Sequence, residues 1–424
     1  MRLFNAVNGF SYMCVGETMM VLLAVRLGMP DSVVAIISGM LFFGYLILPL
    51  GKFATAKFGG AKTQAMFWAA RNFAGLLVAS ATLWTHFGHR AAAAASMVAG
   101  AFLFYAFRAA GMVMAQPLIG DIAAEDERGK LISTNGGLFY AACFVALFLI
   151  NRLMAFSPGA QMLSLVIAGG CVSGICSAWF VLQVDETRAL RDSARQPILP
   201  DLRALAADSA FRRFLAASFF INLAIVMLIP AAILTLRKGL GVSEAGALAY
   251  SLGQFAASAA MSFTTHKIAN KIGPRKTAIA AYALALAVAA GWALCPGAAA
   301  AAAMPVCAAL FMAAGAFRTT AENSLTHYFL QTVPAPRRIA ATMLMNTAAG
   351  VLSGIAGMAL SGLLLHALES LPATHPGMTP LSAYRLYFGA TFLVLLPGVI
   401  ALLRITPLPL EKRWRRWVFG SHYR

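Results

Sequence analysis

Long apolar runs alternate with short polar gaps along the whole chain. A helix that crosses bilayer hydrocarbon needs about 20 largely apolar residues. Runs of that kind fall at 4–25, 33–55, 64–85, 92–118, 132–154, 161–183, 212–235, 246–267, 276–294, 301–328, 340–367 and 384–405. The pattern predicts an all-α polytopic membrane protein of twelve transmembrane helices. The tenth run has the least sharp start, because Cys295-Pro296-Gly297 leads directly into alanines. The longest polar gap, 184–211, separates the sixth run from the seventh. Four segments are therefore expected: an N-terminal six-helix bundle over 1–183, a cytoplasmic central loop over 184–211, a C-terminal six-helix bundle over 212–405, and a basic tail over 406–424.

Composition agrees with this pattern. Of the 424 residues, 60% are hydrophobic and 11% charged, and the mean hydropathy is +0.76. A soluble domain carries about 25% charged residues. The formal charge of +18 does not point to nucleic acid, because the basic residues sit in the gaps between apolar runs. The six cysteines are scattered, with no CxxC and no Cys/His zinc spacing, so they read as small apolar packing residues. Neither a cofactor nor a metal is expected. Arg2 precedes no convincing cleavable leader, so the first helix is expected to be retained.

Lys and Arg set the orientation. With the N-terminus in the cytoplasm, 24 of the 33 basic residues face inward and 6 outward, while Arg71, Arg108 and Arg318 lie within spans. Both termini are expected in the cytoplasm. The tail, EKRWRRWVFGSHYR, reads as lying on an anionic inner leaflet.

The halves carry a repeat. AKFGGAKT at 56–63 aligns with NKIGPRKT at 270–277, placing Lys57, Gly59, Lys62 and Thr63 on Lys271, Gly273, Lys276 and Thr277. Further on, Ala106-Phe107-Arg108 aligns with Ala316-Phe317-Arg318, and Arg128 with Arg338. Order and spacing are kept, as in a duplicated six-helix unit.

With these residues the sequence resembles the major facilitator superfamily over nearly its whole length. That family's loop pattern is approximately G-x-x-x-D-R-x-G-x-R-K. The second copy, HKIANKIGPRK, matches or nearly matches it at Asn270, Lys271, Gly273, Arg275 and Lys276, with His266 in place of the leading glycine. The first copy, KFATAKFGGAK, departs further: Ala56 replaces the acid and Lys52 the glycine. Asp121 to Gly129, containing Arg128, resembles the family's loop after the fourth helix, and Asp185-Glu186-Thr187 its acidic motif after the sixth. The resemblance implies two pseudo-symmetric six-helix bundles and a cytoplasmic gate. In that gate Lys57, Lys62, Lys271, Arg275 and Lys276 would pair with Asp121, Glu186 or helix C-termini in the outward-open state. The alternative is that these cations only fix topology.

In such carriers the substrate site lies near the midplane between the halves. Arg108 and Arg318 would face it, offering forked donors to a carboxylate, sulfonate or phosphate. Glu322 stands one turn from Arg318 on the same helix face. It either neutralises Arg318 or exchanges a proton. Glu17 is the other buried acid, and could pair with Arg108 or carry the proton. Asn323 and His327 are further substrate candidates beside Glu322. Arg71, about seven residues into the third run, reads as snorkelling to the membrane surface.

A secondary transporter is therefore expected, moving a small polar or anionic solute by alternating access with protons as coupling ion. It is expected as a monomer in a bacterial inner membrane, with no nucleic-acid partner. Two alternatives share the fold. A drug or metabolite exporter is disfavoured because the fifth helix lacks the glycine-spaced segment ending in Gly-Pro. A non-transporting sensor or scaffold fits the degraded first loop. A membrane enzyme is disfavoured, since no H-x-x-x-x-D, H-E-x-x-H, G-x-S-x-G or Walker loop occurs.

Overall fold

The computed structural model describes residues 1–157, 159–297, 302–369 and 379–408. The expected tail from 409 onward lies outside the described residues, as does part of the lead into the tenth span. The helices are α1 (Arg2–Val15), α2 (Glu17–Arg26), α3 (Asp31–Gly44), α4 (Leu48–Phe58), α5 (Gly60–Ala79), α6 (Ala81–His86), α7 (Arg90–Met112), α8 (Ala115–Ile122), α9 (Arg128–Phe156) and α10 (Ala160–Leu182). The central polar segment folds into α11 (Arg188–Arg195) and α12 (Ile198–Ala207). Then come α13 (Ser209–Leu234), α14 (Glu244–Ile272), α15 (Pro274–Ala293), α16 (Ala303–Thr332), α17 (Arg338–Leu344), α18 (Leu352–Glu369) and α19 (Pro380–Leu403).

These helices make the twelve spans. Six spans run as single helices: α9, α10, α14, α15, α16 and α19. The pair α13 and the π-helical turn Thr235–Gly239 forms the seventh. Others are interrupted where backbone geometry requires it. Gly16, with ψ of 170°, separates α1 from α2. A short 3₁₀ turn at Tyr45–Ile47 precedes Pro49 and splits the second span into α3 and α4. A π-helical turn over Met345–Val351 joins α17 to α18. Nine stretches among the described residues are long and apolar enough to cross a membrane on length and composition alone. The third span carries Arg71 and Asn72 within its apolar run.

The chain forms two compact units. Unit 1 comprises Met1–Leu131, Leu138–Ile198 and Val333–Met343, and unit 2 comprises Ile132–Gly137, Leu199–Thr332 and Leu344 onward. Within unit 1, α7 packs on α5 and on α3–α4, while α10 packs on α1 and α5. Within unit 2, α16 packs on α15 and α14, while α19 packs on α13 and α15. Each of these pairings has its counterpart in the other unit, so the repeat extends to helix packing. The turns agree as well: Gly59 (φ 92°) links α4 to α5, and Gly273 (φ 93°) links α14 to α15. A left-handed backbone there favours glycine.

Small residues bring the helices together. A Cβ on Gly9 would strike the Phe139 carbonyl of α9, and one on Gly315 the Gln254 carbonyl of α14. Gly357 brings α18 close to Val226 of α13. The outward-facing surfaces are apolar. Leu165, Val172 and Trp179 form an exposed stripe on α10, and Leu386, Leu393 and Ile400 repeat it on α19. A seven-residue spacing puts each set on one helix face, suited to hydrocarbon rather than water.

Candidate functional site

The polar side chains inside unit 1 converge on Arg71. It is only 1% exposed. The snorkelling expected for it does not occur, because it points into the bundle and not along α5 to the surface. Its guanidinium lies 4.8 Å from the Trp68 ring centroid and 5.0 Å from that of Phe104. One terminal nitrogen donates to Asn8 Oδ1 at 3.1 Å, an oxygen that also accepts from Trp68 Nε1 at 2.8 Å. Asn72, on the same helix, accepts from Ser11 and donates to the Trp68 carbonyl. Arg71 Nε has no hydrogen-bond partner among the described residues. Arg108 of α7 is half-buried, with its guanidinium 5.6 Å from the Tyr12 ring centroid. Unit 1 thus holds two arginines close enough to repel each other. The side chain of Glu17, expected as a proton carrier, lies outside the described residues.

In unit 2, Arg318 and Glu322 form the ion pair that their spacing requires. Nε donates to Oε1 at 3.1 Å, and the side chains are 28% and 39% exposed. Asn323 is turned elsewhere: its amide nitrogen donates to Ser262 Oγ at 2.8 Å, and Ser262 in turn donates to the Ser133 carbonyl. His327 is buried and shares a 3.0 Å hydrogen bond with Gln331. Arg318 and Glu322 are therefore together, while Asn323 and His327 bond to neighbouring helical residues.

The loop motifs hold the following contacts. Glu186 accepts from the backbone nitrogens of Gly60 and Ala61, at 2.6 and 2.9 Å, capping the start of α5. A carboxylate suits a helix N-terminus, where unpaired N–H groups point outward. Asp121 accepts from the backbone N and hydroxyl of Thr187, the former at 2.7 Å. Lys57 and Lys62 are exposed, with Lys57 over the Phe58 ring. Asp185 is exposed too. In unit 2, Asn270 and Lys271 are exposed, and Arg275 donates at 2.6 Å to the Leu403 carbonyl at the end of α19. Arg275 thus contacts a helix C-terminus, Glu186 binds backbone N–H groups, and Asp121 binds the backbone and hydroxyl of Thr187.

Sequence reasoning missed two cations at this end of unit 1. Lys52 is buried and donates to the carbonyls of Ala194 and Gln196 at 2.8 and 2.7 Å, tying α4 to α11. Arg338 is buried and donates to Gly120 O at 3.1 Å, and Arg128 reaches the same carbonyl at 3.0 Å. The alignment of Arg128 with Arg338 was the signal that could have found this arrangement.

A family model described as Major Facilitator Superfamily matches residues 3–358. No curated protein matches the sequence significantly. Among solved structures, the E. coli fucose:proton symporter FucP superposes with a TM-score of 0.68 at 14% identity, over 96% of this chain and 98% of that one. The proton:xylose symporter XylE gives 0.70 at 15% identity, over 99% and 94%. The human organic anion transporter TETRAN gives 0.64 at 13% identity, over 93% and 97%. At such identities the likeness is one of fold.

Proposed function

The chain belongs to the Major Facilitator Superfamily, and from that premise we propose that it is a secondary transporter of a small organic or inorganic anion, coupled to protons. The observation that carries this reading is Arg71, 1% exposed, with Arg108 close by and no carboxylate among the described side chains that bond to it. A buried cation without a counter-charge is costly in hydrocarbon. An anionic solute supplies that charge. Arg108, half-buried, meets the solute first, and Arg71 stabilises it from behind through field and the shared Asn8. In unit 2, Glu322 holds Arg318 while deprotonated. Uptake of a proton by Glu322 breaks the ion pair and releases Arg318 to bind an anion. Proton and anion then bind together, which makes symport the expected mode. Asn323 and His327 tune this helix face without direct contact. Glu17 remains a second proton carrier in this reading.

The protein works as a multi-pass membrane protein with both termini cytoplasmic, in a bacterial inner membrane. Lys52, Asp121, Arg128, Glu186 and Arg338 brace the cytoplasmic end of unit 1. The segments 1–183 and 212–405 act as the two moving halves.

The test is uptake of labelled small carboxylates and phosphate into proteoliposomes, with an acid exterior and neutral interior. The wild type should accumulate at least one anion. Arg108→Gln should abolish accumulation, and Glu322→Gln should remove its dependence on the proton gradient. Accumulation of a neutral sugar alone, unchanged in Arg108→Gln, would overturn the anion reading.

A further inference from the structure

The six cysteines are scattered in sequence, but two of them meet in the fold. Cys295 follows α15, and Cys307 lies just over one turn into α16. Their sulfurs are 3.7 Å apart, and both residues are 0% exposed. Burial alone would suit a cysteine used as a small apolar residue. Two thiols in van der Waals contact, twelve positions apart, are a different arrangement.

The surroundings favour chemistry at Cys295. Arg385 of α19 donates from Nε to the Cys295 carbonyl at 2.8 Å, with a second donation from its terminal nitrogen. That bidentate contact holds the Cys295 backbone against α19 and places a fixed positive charge beside the thiol. The thiol is pushed below its ordinary value by the hydrogen bond from Cys307 and by Arg385, against the opposing effect of burial. Thiolate is the attacking form in disulfide exchange. Cys307, with its sulfur 3.7 Å away, supplies the resolving sulfur.

We propose that Cys295 and Cys307 are a disulfide-forming pair, oxidised by disulfide-bearing thiol oxidants at the end of unit 2 where α15 meets α16. The Cys295 thiolate attacks one sulfur of the oxidant disulfide, forming a mixed disulfide and releasing one oxidant thiolate. The Cys307 thiolate then attacks the Cys295 sulfur, forming the Cys295–Cys307 bond and releasing the second oxidant thiolate. The two protons from the cysteine thiols end on the two released thiols, and the oxidant gains the two electrons that the cysteines lose. The bond closes a short loop and fastens the α15–α16 connection to the first turns of α16, the helix that carries Arg318 and Glu322. Under the proposed orientation this end faces the oxidising side of the membrane. The pairing itself does not depend on what the protein transports.

The experiment counts thiols in the full-length protein. Purified protein is incubated with oxidised glutathione, or with reductant, then denatured and labelled with a maleimide. The oxidised sample should carry two labels fewer than the six of the reduced one, and peptide mapping should recover a peptide joining Cys295 to Cys307. Cys295→Ser should lose the difference between oxidised and reduced samples, whereas Cys307→Ser should trap the mixed disulfide on Cys295 and carry one label fewer after oxidation. Cys14→Ser should keep the two-label difference, which separates pairing from any general effect of cysteine loss. Six labels after oxidation would overturn the proposal, as would a linked peptide with a different partner or a stable glutathione adduct on Cys295 alone.

Discussion

Gly59 shows how a single residue ties backbone to charge. Its φ of 92° excludes a comfortable side chain, and an added Cβ would collide with the Glu186 carboxylate that caps α5. Gly59→Ala should therefore lower stability by about 1–3 kcal/mol, through backbone strain together with a displaced cap. Thermal unfolding in detergent reads this as a lowered midpoint, and an unchanged midpoint would contradict the geometry. Arg71 calls for the opposite sign. Replacing a buried, poorly compensated charge with an apolar side chain of similar length is often neutral or stabilising. Arg71→Met should keep or raise the unfolding midpoint while losing anion binding. A large drop in the midpoint would make Arg71 a structural residue. The glycine turns were legible from the repeated Gly-containing loops. The burial of Arg71 was not, because a position about seven residues into an apolar run allows both snorkelling and inward packing. Only the rotation of α5 against α1 and α7 decides between them.

At the scale of elements, the number of spans was written in the apolar runs, and their interruptions were not. The 3₁₀ turn at Tyr45–Ile47 and the π-helical turn at Met345–Val351 lie inside continuous apolar runs. Hydropathy cannot see a change of backbone phase. Nor did the central polar gap reveal α11, whose carbonyl end is held by Lys52. Lys52 occupies a glycine position of the family pattern, so it looked like decay of the motif. It is instead an anchor. Lys52→Met should leave two carbonyls without their donor, each worth about 1–3 kcal/mol when buried. Limited proteolysis should then cut more readily around Arg188–Arg195 than in the wild type. Equal cutting rates would show that α11 is held by other contacts.

For the whole molecule, the repeat is the strongest inference that the sequence supported. It extends from the loop motifs to the helix pairings, to the positive-φ glycines and to the exposed stripes on α10 and α19. Its chemistry is not symmetric. Unit 1 holds Arg71 and Arg108 among aromatic rings, whereas unit 2 holds Arg318 beside Glu322. The matching AFR triplets suggested two equal charges, but the neighbours decide what each charge can do. Under the proposed proton coupling, anion uptake should rise with an inward proton gradient, and Glu322→Gln should flatten that dependence. A retained dependence in the variant would place the coupling proton elsewhere. The central claim, that the buried arginines serve an anion, is tested most directly by thermal unfolding of the purified protein with small carboxylates and phosphate, beside Arg71→Met and Arg108→Gln. A bound ligand raises native-state stability by RT ln(1 + [L]/Kd). The account predicts that at least one anion raises the wild-type midpoint and leaves both variants unmoved. Stabilisation by neutral sugars or lipophilic cations alone, equal in all three proteins, would contradict it.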